Sequence, residues 1–213
     1  TLAGHDAIGR AQTGTGKTAA FLVSVINDLL NNPIQEQRYR GEPRALILAP
    51  TRELALQIEK VFKQMGTGLK VTCCYGGHLR ETEENNLTEP PALLVGTPGR
   101  IADHIRRGNI TVDTITTLVL DEFDKSLEAG FTEEISFIIG SLTKLKKRVL
   151  TSATEALEIP GFVGLSNATR LDFLEGQDAV EKSLAIKKVA SPGKDKLETL
   201  FHLLCFIGAR PSI

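Results

Sequence analysis

Apolar residues fall along this chain in two registers. Short continuous runs recur at 6–10 (DAIGR), 45–49 (ALILA), 70–74 (KVTCC), 92–96 (ALLVG), 116–120 (TTLVL) and 148–152 (RVLTS). Unbroken runs of this length suit strands buried on both faces. Between them the spacing changes. In ELALQIEKVFKQM, Leu54, Ile58, Val61, Phe62 and Met65 fall at i, i+4, i+7, i+8 and i+11, one helical stripe, and Leu22, Val25, Ile26 and Leu29 form a second. Strands alternating with helices predict an α/β fold, a mostly parallel sheet with flanking helices and right-handed crossovers.

Each apolar run leads directly into polar or glycine-rich residues, in order AQTGTGKT, PTREL, YGG, TPGR, DEFD and SAT. In an open α/β sheet, ligands bind beyond the carboxyl ends of the strands. The motifs are therefore expected to share one edge of the molecule. Any one of them alone reads equally well as an ordinary strand-to-helix loop; the full set does not.

Ala11 to Thr18 reads A-x-x-x-x-G-K-T, a phosphate-binding loop with Ala at the usual first glycine. Gly14 and Gly16 let the backbone turn so that successive N–H groups face phosphate oxygens. A helix starting near Lys17 adds the positive end of its dipole. Lys17 supplies a mobile cation for the β and γ phosphates, and the Thr18 hydroxyl suits Mg²⁺. Gly14, Gly16 and Ala19 also satisfy the dinucleotide fingerprint G-x-G-x-x-A. That fold wants an acid at the end of the second strand, which here ends in Ala49-Pro50-Thr51, and it has no use for Lys17. In LVLDEFD a strand delivers Asp121 to the sheet edge, where it can hold magnesium, and Glu122 can orient or deprotonate a water. Acids after a strand can instead cap the next helix, a weak reading with a phosphate loop upstream. The chemistry is hydrolysis of ATP or GTP.

Composition narrows the setting. The net charge of −1 excludes bulk attraction to nucleic acid, so such binding requires a local patch. No segment approaches the roughly 20 apolar residues needed to span a bilayer, and no signal peptide is expected. Three cysteines, two adjacent on a strand and facing opposite sides, form no disulfide framework, which favours a reducing, cytoplasmic setting. The histidines His5, His78, His104 and His202 lack metal-ligand spacing. KLKKR (144–148) precedes its strand, so it is expected on the opposite edge as a solvated face.

Taken in order across residues 11–154, the motifs resemble those of the DEAD-box RNA helicases, with PTRELA and TPGR more specific than the phosphate loop alone. The resemblance implies ATP with Mg²⁺ as the bound nucleotide, RNA as partner, and a pair of RecA-like domains of which this chain matches the first. By matching motif, Gln12, Thr13, Gly14, Thr15, Gly16, Lys17 and Thr18 would cradle the triphosphate, with Thr18 and Asp121 on the metal. Catalysis would fall to Glu122, Asp121 and Lys17. Pro50, Thr51, Arg52, Gly76, Gly77, Thr97, Pro98, Gly99 and Arg100 would line the RNA path. Backbone, hydroxyl and guanidinium groups of this kind contact phosphate and sugar without reading bases, so little sequence preference is expected. Asp124, Ser152 and Thr154 would couple hydrolysis to the RNA surface.

The acidic motif reads Asp-Glu-Phe-Asp rather than Asp-Glu-Ala-Asp, and Phe123 is expected to pack against apolar neighbours. The expected organisation is a first RecA-like domain over 1–174, without the family's upstream adenine-recognition segment. A linker would follow over 175–193, then the start of a second RecA-like domain over 194–213, with Leu197, Leu200, Phe201 and Leu204 at helical spacing. A chain of this extent is expected to be a monomer, to bind nucleotide weakly and to unwind nothing. The whole protein is expected to unwind RNA duplexes, or alternatively to serve as an ATP-gated RNA clamp that barely unwinds.

Overall fold

Each buried apolar run becomes a short strand. The computed structural model describes residues 5–11, 16–32, 42–77, 80–153, 158–173, 189–191 and 196–208. The strands are β1 (Ala7–Arg10), β2 (Ala45–Leu48), β3 (Val71–Cys74), β4 (Leu93–Gly96), β5 (Thr117–Leu120) and β6 (Lys147–Ser152), with β7 (Thr169–Asp172) beyond them. They form one sheet in the order β3-β4-β2-β5-β6-β1-β7. Every pairing is parallel, for example Ala45 opposite both Leu93 and Thr117. The sheet is thus wholly parallel, and β7 closes one side of it.

Period-two alternation sends the two halves of each strand to different helical layers. Leu46, Leu48, Leu94, Leu118, Leu120 and Leu150 face one core, and Ala45, Ile47, Leu93, Val95, Val119 and Val149 face the other. The first core is closed by α4 (Pro98–Arg106), α5 (Phe123–Glu128) and α6 (Thr132–Ser141). The second is closed by α1 (Lys17–Asn31) and α2 (Arg52–Gln64). Their stripes are those the spacing predicts: Leu22, Val25, Ile26 and Leu29 are buried, as are Ile58 and Phe62. Fully burying a side chain of this size contributes about 1.5–3 kcal/mol. A register slip by one residue would exchange the two sets and forfeit both cores.

Parallel strands all end on the same edge, so the motifs that follow them share it. The strand order also divides that edge. The loops after β1, β6 and β5 lie side by side, and those after β3, β4 and β2 lie side by side, with the seam between β5 and β2.

On the opposite edge the lysine run departs from expectation. Lys144 and Lys146 are exposed, but Lys147 is 6% exposed and pairs with Asp28 at 2.5 Å. The run is only partly a solvated face, because Lys147 begins β6 and its side chain turns toward the acid at the end of α1.

The chain divides into two compact units, Thr1–Glu175 and Gly176–Ile213. The second contains a helix, α7 (Leu197–Ile207), where the spacing predicts one; most of the expected linker lies outside the described residues. Among the described residues, no helix is long and apolar enough to cross a membrane.

Candidate functional site

At the β1-β6-β5 end of the edge, Gly16 has φ 88° and hands the chain into α1 at Lys17. Only a residue without a Cβ takes that left-handed turn freely. Gln12, Thr13, Gly14 and Thr15 lie outside the described residues. Lys17 donates from Nζ to the carbonyl of Ala11 at 2.6 Å, and Thr18 stands half-buried in the first helical turn. Because β1 and β5 both flank β6, their carboxyl ends are roughly 10 Å apart. Lys17 and Asp121 consequently interact electrostatically across the gap.

Asp121 is 3% exposed. Burial raises its carboxyl above the usual carboxylate range; the Thr151 hydroxyl and the Lys17 charge oppose that shift, and the neighbouring Glu122 adds to it. Thr151 donates its hydroxyl hydrogen to Asp121 Oδ1 and accepts from the Glu122 amide at 3.0 Å. The same amide reaches Asp121 Oδ1 at 3.2 Å. Nothing in RVLTS marked Thr151 as other than strand filler, and its role emerges only from the pairing of β5 with β6.

Glu122 itself is held at φ 46°, ψ 53°. The left-handed region costs a non-glycine residue about 1–2 kcal/mol, and such strain persists only where the surroundings hold it. The two acceptors on its amide supply that hold. Its carboxylate pairs with Lys125 at 2.9 Å.

Phe123 is fully buried in the core under α4 and α6, as expected of a packing residue. Asp124 is buried, and its Oδ2 accepts from the Ala153 amide at 3.2 Å, which ties α5 to the end of β6. Ser152 is buried at that strand end; Thr154 lies outside the described residues.

The other half of the edge is built from two helix starts and a turn. Thr51 caps α2, its hydroxyl accepting from Leu54 N at 3.2 Å, while Pro50 is buried behind it. Thr97 precedes α4, and Pro98, Gly99 and Arg100 form its first turn. Pro98 is buried, so its part is to start the helix with a fixed φ. Both helix N-termini face outward from this edge and favour anions. Gly76 and Gly77 are exposed, with Gly77 at φ 89°. Arg52 is an open cation among the described residues of this half: its side chain is 55% exposed, Glu53 is 3.9 Å away, and its guanidinium lies 5.6 Å from the centre of the Tyr75 ring. Arg100 is different. Its side chain is 13% exposed, with Nε 3.3 Å from both Glu83 Oε2 and the Tyr75 carbonyl.

The oxygen donors available, a buried carboxylate on Asp121 and a hydroxyl on Thr18, match the hard-ligand preference of Mg²⁺. Sequence spacing did not reveal one cluster: Cys74, Glu83 and His104 are buried together, with donor atoms within 4.8 Å of one another.

Known proteins resemble this chain in sequence and in fold. The chain is 46% identical to the ATP-dependent RNA helicase RhlB of Shewanella sediminis, covering 72% of this chain and 36% of the relative. It is 39% identical to RhlB of Pseudomonas aeruginosa, covering 96% of this chain and 53% of the relative. It spans about a third to a half of the curated relatives it matches. A crystal structure of a DEAD box protein from Methanococcus jannaschii superposes with a TM-score of 0.68 at 32% identity, over 79% of this chain and 45% of the other. The yeast DEAD-box splicing factor Prp28 superposes with a TM-score of 0.71 at 30% identity, over 79% and 41%. Residues 1–159 match the family model described as DEAD/DEAH box helicase, and the chain belongs to that family.

Proposed function

We propose that this chain is the ATP- and RNA-binding first RecA-like domain of an ATP-dependent RNA helicase. The observation that carries this reading is the division of one sheet edge by strand order. Lys17, Asp121 and Glu122 gather after β1 and β5 on either side of β6, and Arg52, Gly77 and Arg100 gather after β2, β3 and β4. The first group suits a triphosphate. Lys17 would leave the Ala11 carbonyl for phosphate oxygens, Thr18 and Asp121 would hold Mg²⁺, and Glu122 would orient the attacking water and accept its proton. When bound, Mg²⁺ neutralises charge that develops on the phosphate oxygens.

The second group suits a sugar–phosphate backbone: an exposed guanidinium, a glycine turn and two helix N-termini, with no base-reading module among the described residues. The link from Ala153 to Asp124 joins β6 to α5 and gives the hydrolytic half a mechanical connection to its surroundings. Residues 1–174 form the first RecA-like domain in this reading, 175–193 the linker and 194–213 the start of a second, which would complete the ATP site in the whole protein. The RhlB relatives, named as ATP-dependent RNA helicases, and their greater length support it.

The test is ATP turnover by the whole protein with RNA, with DNA and with neither, for wild type and Glu122→Gln. RNA should stimulate wild type more than DNA does. The variant should bind ATP and lose turnover by a factor of about 10² or more, the usual contribution of a positioned general base. Wild-type turnover in Glu122→Gln would remove that residue from the chemistry, and stronger stimulation by DNA would reassign the substrate.

A further inference from the structure

Glu83 belongs to none of the motifs, yet its carboxylate is 1% exposed. It sits on a short helix, α3 (Arg80–Asn86), beside the half of the edge assigned to RNA. Its Oε1 accepts from the Tyr75 amide at 2.9 Å. Its Oε2 lies 2.8 Å from His104 Nε2 and 3.3 Å from Arg100 Nε. One buried carboxylate therefore holds both the residue that precedes Gly76-Gly77 and the arginine of TPGR.

The state of His104 follows from its other nitrogen. Nδ1 lies 3.2 Å from Asn109 Nδ2, which also donates to Glu84 Oε1 at 3.0 Å. An amide nitrogen only donates, so Nδ1 accepts and Nε2 carries the proton that faces Glu83. The charge facing Glu83 is then that of Arg100. A buried carboxylate that loses its cation is strongly destabilised, whereas an intact pair serves chiefly to fix geometry.

A metal would suit this cluster poorly, although Cys74, Glu83 and His104 lie close enough to hold one. Both Glu83 oxygens are engaged, His104 presents a proton rather than a lone pair, and Arg100 stands beside the acid. Burial also pushes the Cys74 thiol up, away from the thiolate a metal needs.

The two arginines of this half consequently do different work. Arg100 is a strut, 13% exposed and turned inward. Arg52, 55% exposed, rests on the Tyr75 ring, and its Nη1 lies 3.8 Å from where a methyl on Gly77 would stand. We infer that Glu83, oriented by His104, is a positioning residue for RNA: it clamps Arg100 to the Tyr75 backbone, so that Arg52 and the Gly76-Gly77 turn meet the phosphates as one rigid unit. This rests on the RNA path proposed above.

The experiment uses the whole protein and a uridine homopolymer as probe. ATP turnover is followed against RNA concentration for wild type, Glu83→Gln, Arg100→Lys and the double variant. Glu83→Gln keeps an acceptor for the Tyr75 amide and removes the charge. It should raise the half-saturating RNA concentration about tenfold, with turnover at saturating RNA and KM for ATP within about twofold. The shift in the double variant should equal that of the larger single variant, because both break the same strut. A purely structural role would instead lower Tm and weaken ATP and RNA together. Unchanged RNA dependence in Glu83→Gln, or additive shifts in the double variant, would overturn the inference. If Glu83→Gln yields no folded protein, His104→Asn, which withdraws the Nε2 contact from Glu83, decides: an RNA-specific shift supports the strut, and wild-type behaviour refutes it. A wild type that RNA neither binds nor stimulates would fail at the earlier step, taking the RNA path and the strut with it.

Discussion

Replacing Thr151 by Val keeps the branched outline of the side chain and removes one oxygen. That oxygen is 4% exposed with its residue, donates to the Asp121 carboxylate and accepts from the Glu122 amide. A hydrogen bond to a charged acceptor is worth about 1.5–3 kcal/mol, and a second, neutral one about 0.5–1.5 kcal/mol. The Glu122 amide retains Asp121 Oδ1 at 3.2 Å, which places its share at the low end. The expected loss is therefore about 2–4 kcal/mol, or a fall in Tm of roughly 5–15 °C for a domain of this size. Thr151→Ser keeps the hydroxyl and deletes one methyl, which costs about 1 kcal/mol. Thermal and urea denaturation of the nucleotide-free chain separate the two. ATP turnover in the whole protein should follow the same order, since the amide contact helps hold Glu122 at its left-handed φ of 46°. Equal midpoints for Thr151→Val and Thr151→Ser would show that the hydroxyl contributes nothing and would refute the reasoning.

Asp121→Asn tests the electrostatics of the same loop. Burial raises the Asp121 carboxyl, so the folded state holds the proton more tightly than the unfolded state, and stability is lost as pH rises through the folded value. At pH 7 the substitution should stabilise the nucleotide-free chain while weakening binding of Mg²⁺–ATP, and the gain should shrink on acidification below the Asp121 titration. Destabilisation at pH 7, read by urea midpoint, would contradict this account. Gly96→Ala probes the start of α4: a methyl there would stand 2.7 Å from Cδ1 and Cγ1 of Ile101 and closer still to the Cys74 carbonyl. Overpacking against a backbone atom has no rotamer escape and should cost about 3 kcal/mol. A Tm within about 2 °C of wild type would show that the β4–α4 junction yields more easily than its packing suggests.

The sequence by itself determined the elements and which candidate residues stand at their ends. Local periodicity is written in neighbouring residues, so the runs at Ala45–Leu48 and Thr117–Leu120 and the stripe of α2 were legible without coordinates. So were Lys17, Asp121 and Glu122, whose residue types at those spacings have few other uses. What the tertiary structure decided is which distant residues touch. Strand order places β6 between β1 and β5, and only then does Thr151 meet Asp121 across thirty positions of chain. His104 reaches Glu83 across twenty-one. Arg52 and Arg100 look alike in sequence, yet one is open and the other turns inward to Glu83. Lys147, part of a basic run, finds Asp28 far upstream. Such contacts depend on how crossovers stack strands and helices, a property of the packed whole that no local pattern encodes.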